Sequence, residues 1–148
     1  YHGIDLSSTM VELTKARLRP WTGRAELTLT DGGPHPQHEG GWDRLLPTYV
    51  LDLLSAEQLD ATLLEAHRVL RPTGLLCLAG LTHGTTVGSR LVMGSWDLLH
   101  RMMPRVVGGC RPVDISERLA PEAWKIQHHS TVVSWGIASE VLVAQRLP

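Results

Sequence analysis

Hydrophobic positions along the chain change their period several times, and each change marks an element. Residues 1–6 read as a short strand that carries an acid, Asp5, near its end. Ser7-Ser8-Thr9 then offers hydroxyls to cap a helix, with Thr9 and Glu12 at capping-box spacing. Met10, Leu13 and Arg17, with Val11 and Leu18, continue at helical intervals until Pro20 stops them. Residues 25–30 alternate as a half-buried strand closed by Asp31-Gly32-Gly33-Pro34, and the polar stretch 32–41 predicts a mobile loop. Residues 42–50 predict a buried strand. Ser55 and Gln58 make a second capping box, for a helix whose Leu59, Leu63, Ala66 and Leu70 share one face. Arg71-Pro72-Thr73-Gly74 ends that helix by removing a donor and offering a positive-φ position.

The run 75–81 is continuously apolar and of strand length, the pattern of a strand covered on both faces. After a Gly/Thr loop, Val92, Trp96, Leu99 and Met103 mark an amphipathic helix. The pattern loosens through residues 107–112, and Asp114 with Glu117 predicts a short capped helix. Residues 124–133 and 136–146 predict two strands joined by Ser134-Trp135-Gly136 as an antiparallel pair. The order β-α-β-β-α-β-α-β-β predicts an α/β fold with a mostly parallel sheet and an antiparallel finish. No internal repeat or low-complexity run interrupts it.

At 148 residues the chain has room for one domain, able to bury roughly 68–70% of its surface. Lys and Arg number 14 against 15 Asp and Glu, a net charge of −1, so no broad positive field holds a polyanion; nucleic acid and anionic membrane are not expected partners. The two cysteines, Cys77 inside an apolar run and Cys110, read as reduced thiols of a cytoplasmic protein. Apolar stretches break well before the ~18 residues a spanning helix needs, and no secretory leader opens the chain. Tyr1 stands where a strand is already under way, so the sequence is expected to be a fragment of a longer chain.

Several of these residues fall in a familiar order. Gly3-Ile4-Asp5-Leu6-Ser7 before a helix carrying Ala16-Arg17, Asp31-Gly32 after the next strand, Trp42-Asp43-Arg44-Leu45-Leu46, and Arg68-Val69-Leu70-Arg71-Pro72-Thr73-Gly74 before the apolar run together resemble a class I S-adenosylmethionine-dependent methyltransferase entered at its second strand. The resemblance covers nearly the whole chain. It implies a Rossmann-like methyltransferase fold with helices on both faces of the sheet, residues 1–148 forming a single, N-terminally truncated domain. The family's Gly-rich loop, which wraps the methionine end of the cofactor, would lie before Tyr1. The fragment is therefore expected to lack part of its own site and to expose strand edges that make it prone to association.

The resemblance implies S-adenosylmethionine as cofactor and places residues around it. Asp5, at the carboxyl edge of the sheet, would accept the ribose hydroxyls; it would also serve as an acid at the start of the following helix. Leu6 would pack on the adenine, Asp31 would meet the adenine amino group with the Gly32 backbone beside it, and Pro47, Thr48 and Tyr49 would line cofactor and acceptor. Asp31 is equally read as a turn residue, and Leu6 as core. No Asn-Pro-Pro-Tyr follows the fourth strand, which disfavours branches that methylate nucleobase or glutamine amino groups. A small-molecule acceptor is the expectation.

Methyl transfer from an activated donor needs a base only when the acceptor must lose a proton. His83, after the apolar strand, is the candidate catalytic base, with His100 second; a loop histidine is otherwise a surface residue. His35, His38 and Glu39, and separately His128-His129, have fragments of metal-ligand spacing without a second half, so no metal site is expected. Trp96, Met102 and Met103 could face an acceptor or fill the core, and residues 108–112 could border the acceptor. Two other classes stay open: a methyltransferase-like domain without activity that binds a protein, and a nicotinamide-dependent oxidoreductase. Against the second, Tyr49 is followed four positions on by Leu53 rather than lysine; an α/β-hydrolase is disfavoured separately, because no Gly-x-Ser-x-Gly elbow occurs.

Overall fold

The computed structural model describes residues 1–21, 23–33 and 40–148. They fold as two compact units, Tyr1–Pro36 and Gln37–Pro148. The first holds β1 (His2–Asp5), α1 (Ser8–Arg17), a 3-10 turn (Arg19–Trp21) and β2 (Glu26–Leu29). β1 and β2 pair in parallel, from His2 against Glu26 to Asp5 against Leu29, so the intervening helix makes a βαβ unit. The cap of α1 is Ser7 rather than Thr9: the Ser7 backbone is extended and its Oγ accepts from the Met10 amide at 3.3 Å. Asp5 sets this entry, because its Oδ1 accepts from the Ser7 amide at 2.8 Å. The expected Thr9–Glu12 box therefore falls inside the helix. Of α1 only Val11 is buried, and Met10 and Leu13 remain exposed.

The second unit holds β3 (Trp42–Leu45), a 3-10 turn (Leu51–Leu53), α2 (Ala56–Val69), β4 (Leu70–Leu81) and α3 (Val87–Met102). Two further 3-10 turns (Pro104–Val107 and Ser116–Arg118), β5 (Trp124–Ser134) and β6 (Ile137–Arg146) complete it. Its sheet runs β3-β4-β6-β5, with β3 parallel to β4 and the remaining pairs antiparallel. The antiparallel finish read from the sequence is present, with β6 inserted between β4 and β5. The Ser55–Gln58 capping box forms in both directions, at 3.2 and 3.0 Å. It starts a helix that buries Leu59, Leu63 and Ala66 in one cluster with Leu76, Leu78, Leu142 and Ala144. Each large side chain so buried contributes about 1.5–3 kcal/mol. The other side of β4, Leu75, Cys77 and Ala79, is half-buried rather than fully covered.

Three expectations shift in this unit. The strand expected over 42–50 stops at Leu45, because Pro47 has no amide to donate and Tyr49 turns to φ 52°; beyond Leu45 only Thr48 forms a bridge, to Ala79. The helix does end just before Arg71-Pro72-Thr73-Gly74, at Val69, but these four residues lie within β4, which starts at Leu70, rather than in a loop. Trp42 pairs with Leu70 and Arg44 already with Leu75, so the four residues bulge out of the ladder. The positive φ falls on Thr73 (66°), while Gly74 is needed for closeness: a Cβ there would lie 2.9 Å from the Arg71 carbonyl oxygen. The helix expected from Asp114 and Glu117 is only a 3-10 turn over Ser116–Arg118, and no side chain caps it.

β5 and β6 close through Trp135 and Gly136, at φ 54° and 81°, between the paired Ser134 and Ile137. Two successive positive φ values match the twist of a tight hairpin, but Trp135 pays for its position with a crowded Cβ and is 97% exposed. Among the described residues no helix is long and apolar enough to cross a membrane. Replacing Trp135 with Asn, which tolerates this backbone and loses no burial, is expected to stabilise the second unit by about 1 kcal/mol, read as a higher urea midpoint at unchanged slope.

Candidate functional site

Each unit places its candidate residues at the carboxyl end of its parallel strands, where α/β sheets bind ligands. In the first unit the Thr30 amide donates to the Asp5 carbonyl at 3.0 Å, which starts the loop after β2 beside Asp5. Asp31 Oδ1 accepts from the Gly33 amide (3.0 Å) and Thr30 Oγ1 from the Gly32 amide (3.1 Å). Gly32 is left-handed (φ 86°), and a Cβ on it would touch Leu6 Cδ2 at 3.5 Å. Asp5, Leu6, Asp31 and Gly32 are thus brought to one edge, all exposed. Both acids hold local turns with one oxygen, Oδ1 in each case. A hollow lined by Glu12, Lys15, Arg19 and Leu27 lies toward the amino end of β2 and includes none of the four.

In the second unit Pro47 and Tyr49 straddle Ala79: the Tyr49 amide donates to its carbonyl (2.7 Å), and the Ala79 amide donates to the Pro47 carbonyl (3.4 Å). Tyr49 also donates its hydroxyl to Ser139 Oγ at 3.1 Å on β6. A bulky residue held at positive φ is costly, and such strain concentrates at functional sites. Two residues on, the end of β4 is pinned from three sides. The Leu81 amide donates to Asp52 Oδ2 (3.4 Å), its carbonyl accepts from Val113 (2.9 Å), and the Thr82 amide donates to Ala138 (3.1 Å).

His83 follows directly, and the structure gives it a partner that sequence reading missed. Its Nδ1 lies 2.9 Å from Asp114 Oδ2, while Thr82 Oγ1 donates to Asp114 Oδ1. By sequence pattern Asp114 is a helix cap; 31 residues separate it from His83, and no local pattern links them. Burial works against the Asp114 charge, but the Thr82 hydroxyl and the charge and hydrogen bonds of His83 outweigh it and hold the carboxyl below its ordinary value. Gly84 makes the close turn possible, since a Cβ there would lie 2.2 Å from the Ser89 carbonyl carbon at the start of α3.

Asp52 is fully buried, and its Oδ1 has no hydrogen-bond partner. Burial pushes its carboxyl up, offset in part by its own amide and that of Leu81. Its carbonyl accepts from the Arg111 amide (3.0 Å), and the Arg111 guanidinium grips the Leu54 carbonyl through Nε (3.2 Å) and Nη2 (2.8 Å). Residues 108–112 therefore act as a strap over the 3-10 turn after β3. Cys77 and Cys110 are free thiols, and burial followed by the Asp52 charge pushes Cys110 up.

The other candidates go elsewhere. His100 sits in the last turn of α3, about 17 Å along the axis from Ser89. Met102 and Met103 are exposed at that same end, and Trp96 packs on the Leu81, Met93 and Ala138 cluster while its Nε1 donates to the Cys110 carbonyl at 3.0 Å. His128 meets Ser130 Oγ and His129 meets Glu140, each at its own place on β5. His35, His38 and Glu39 lie outside the described residues. Among the described residues no cluster of three or more His, Cys, Asp or Glu could hold a metal ion.

Solved structures share this architecture. A SAM-dependent methyltransferase from Methanosarcina mazei superposes over 99% of this chain and 81% of its own, with a TM-score of 0.77 at 19% identity. The N-methyltransferase NodS from Bradyrhizobium japonicum, solved with S-adenosylhomocysteine, covers 98% of this chain and 65% of its own (TM-score 0.71, 15% identity). The 4+2 cyclase SpnF covers 99% and 65% (TM-score 0.72, 17% identity), so one fold serves more than one reaction. The fold is that of the class I methyltransferases, Rossmann-like and α/β, as the resemblance implied. Residues 1–74, half of the 148, match the family model described as "Methyltransferase domain", and the chain belongs to that family. No curated protein matches the sequence.

Two acids at the second unit's edge give opposite pH signatures. Asp114, depressed in the folded state, contributes stability above the ordinary carboxylate value of about 3.9 that is lost as pH falls through its folded value. Asp52, raised, contributes stability that is lost as pH rises from about 3.9 through its folded value. Urea midpoints measured across acid to neutral pH should therefore show Asp114→Asn losing most relative to wild type at neutral pH. Asp52→Asn should gain on wild type as pH rises. Gly84→Ala should cost about 1–3 kcal/mol through overpacking against α3.

Proposed function

We propose that the chain belongs to an S-adenosylmethionine-dependent methyltransferase acting on a small molecule, and that residues 1–148 are parts of one methyltransferase domain. The observation that carries the reading is Asp5. It ends a parallel strand, commits Oδ1 to the Ser7 amide and keeps Oδ2 for a ligand, in a chain of the methyltransferase family. The cofactor fits these residues: Asp5 would accept ribose hydroxyls, Leu6 would cover one adenine face, and Asp31 with the Gly32 backbone would meet the adenine edge. In the second unit Pro47, Thr48 and Tyr49 are the residues we assign to the cofactor and acceptor side, and His83 is the base.

When bound, S-adenosylmethionine supplies a methyl group already activated on a sulfonium sulfur. The protein's share is positioning, which alone can lower the barrier by several kcal/mol. A net charge of −1 without a basic run supports a small acceptor over a polyanion. Two free, half-buried thiols support a reducing cytoplasmic setting. The test is calorimetric titration of S-adenosylhomocysteine into the protein in its longest natural form and into this chain, with Asp5→Ala beside each. Binding weakened by Asp5→Ala by about 2 kcal/mol, roughly 30-fold, is the expected outcome. A folded long form that binds nothing would overturn the reading and favour an inactive, protein-binding domain.

A further inference from the structure

The His83–Asp114 pair is built more rigidly than a surface ion pair. Both Asp114 oxygens are engaged, Oδ1 by the Thr82 hydroxyl and Oδ2 by His83 Nδ1 at 2.9 Å, so the carboxylate is fixed in rotation. Its backbone is held on both sides. Before it, the Val113 amide donates to Leu81; after it, the Ile115 and Ser116 amides donate to Glu140 Oε2 (3.0 Å) and Oε1 (3.3 Å). Glu140 is 1% exposed and takes a third contact from His129 Nε2 at 2.8 Å. On α3, Arg90 Nε donates to the Gly84 carbonyl, one residue after His83, at 3.3 Å. The His83 side chain, at the carboxyl edge of β4, is 59% exposed.

We propose that Asp114 is a positioning residue that holds His83 as the Nδ1–H tautomer, leaving Nε2 to take the proton of an acceptor hydroxyl. The acceptor is then an alcohol or a phenol. This rests on the methyl-transfer reading. In the step, the acceptor O–H proton passes to His83 Nε2 while an oxygen electron pair forms the bond to the methyl carbon of S-adenosylmethionine. The carbon–sulfur bond breaks with its electron pair staying on sulfur, which leaves a neutral thioether. A neutral amine already carries the lone pair it attacks with and a carboxylate is already ionised. Of these three, a hydroxyl is the acceptor whose attack a base accelerates, typically about 100- to 10,000-fold.

The tautomer can be read without turnover, by nitrogen-15 NMR of the histidine rings in this chain. Wild type is expected to show neutral His83 with its proton on Nδ1. In Asp114→Asn the Thr82 hydroxyl keeps the amide oxygen, the amide NH2 faces His83, and the proton is expected to move to Nε2. The same exchange of Asp for Asn beside the histidine of a serine-protease triad inverts the tautomer there. An Nε2–H ring in wild type overturns the proposal on the unsubstituted chain, whatever the folding of the variant. So does a folded Asp114→Asn that leaves the tautomer unchanged.

The acceptor class is tested by S-adenosylhomocysteine formation from S-adenosylmethionine with phenols and sugar alcohols against their amine isosteres, in the longest natural form. Transfer to a hydroxyl that falls at least about 100-fold in kcat with little change in KM on His83→Gln supports it. Transfer to amines alone, or none to any hydroxyl by a protein that binds S-adenosylhomocysteine, overturns it. Failure to bind S-adenosylhomocysteine strikes the methyl-transfer reading instead and leaves the tautomer result standing.

Discussion

The second unit depends on how the end of β4 finds partners for its backbone. At Leu81 and Thr82 the strand reaches the edge of the sheet, where its amides and carbonyl would be orphaned unless something met them. Asp52 from the turn after β3, Val113 just after the strap and Ala138 from β6 each supply one bond. Three segments distant in sequence are thereby tied to one rung, and everything attached to them inherits its position. His83 is the next residue, Asp114 follows Val113, and Asp52 carries Arg111 on its carbonyl. The placement of His83 beside Asp114 is a consequence of satisfying that rung.

The first unit solves a smaller version of the same problem. Asp5 ends β1, and its carboxylate closes a turn onto the Ser7 amide, which places Ser7 to cap α1 through Met10. One acid thus sets the exit of the strand and the entry of the helix with a single oxygen. A cap and a ligand contact do not compete when they use different oxygens of one carboxylate. Asp31 repeats the device on the next loop, with Gly33 as its donor.

What the sequence made legible follows from range. Period and capping are local, so the α/β order, the Ser55–Gln58 box, the Leu59-Leu63-Ala66 face and the final hairpin could be read directly, and motif order identified the family. The errors arose where a local signal competed with a distant one. Thr9–Glu12 has box spacing, but Ser7 comes first and Asp5 holds it. Arg71-Pro72-Thr73-Gly74 has a terminator's composition, yet pairing of Trp42 with Leu70 carries the strand through it. Asp114 and Glu117 have helix-cap spacing, but Thr82 and His83, more than thirty residues away, claim the carboxylate. His83 could be chosen from its place after a strand; Asp114, Glu140 and the tight approach at Gly84 required the fold.

Three acids meet this edge, and their surroundings divide the work. Asp52 is sealed from solvent with one oxygen unpartnered, a position that disfavours its charge; its value lies in the Leu81 and Arg111 bonds that hold the turn and the strap. Glu140 is equally buried but is met by two backbone amides and an imidazole, so its contacts go to holding the chain after Asp114. Of the three, Asp114 is partly open, and the Thr82 hydroxyl and the charge and hydrogen bonds of His83 hold its carboxyl below the ordinary value against the effect of burial. A carboxylate that orients an imidazole must be ionised, immobile and close to the surface at once. Burying its two neighbours, and using them as backbone anchors, is what lets Asp114 meet all three conditions.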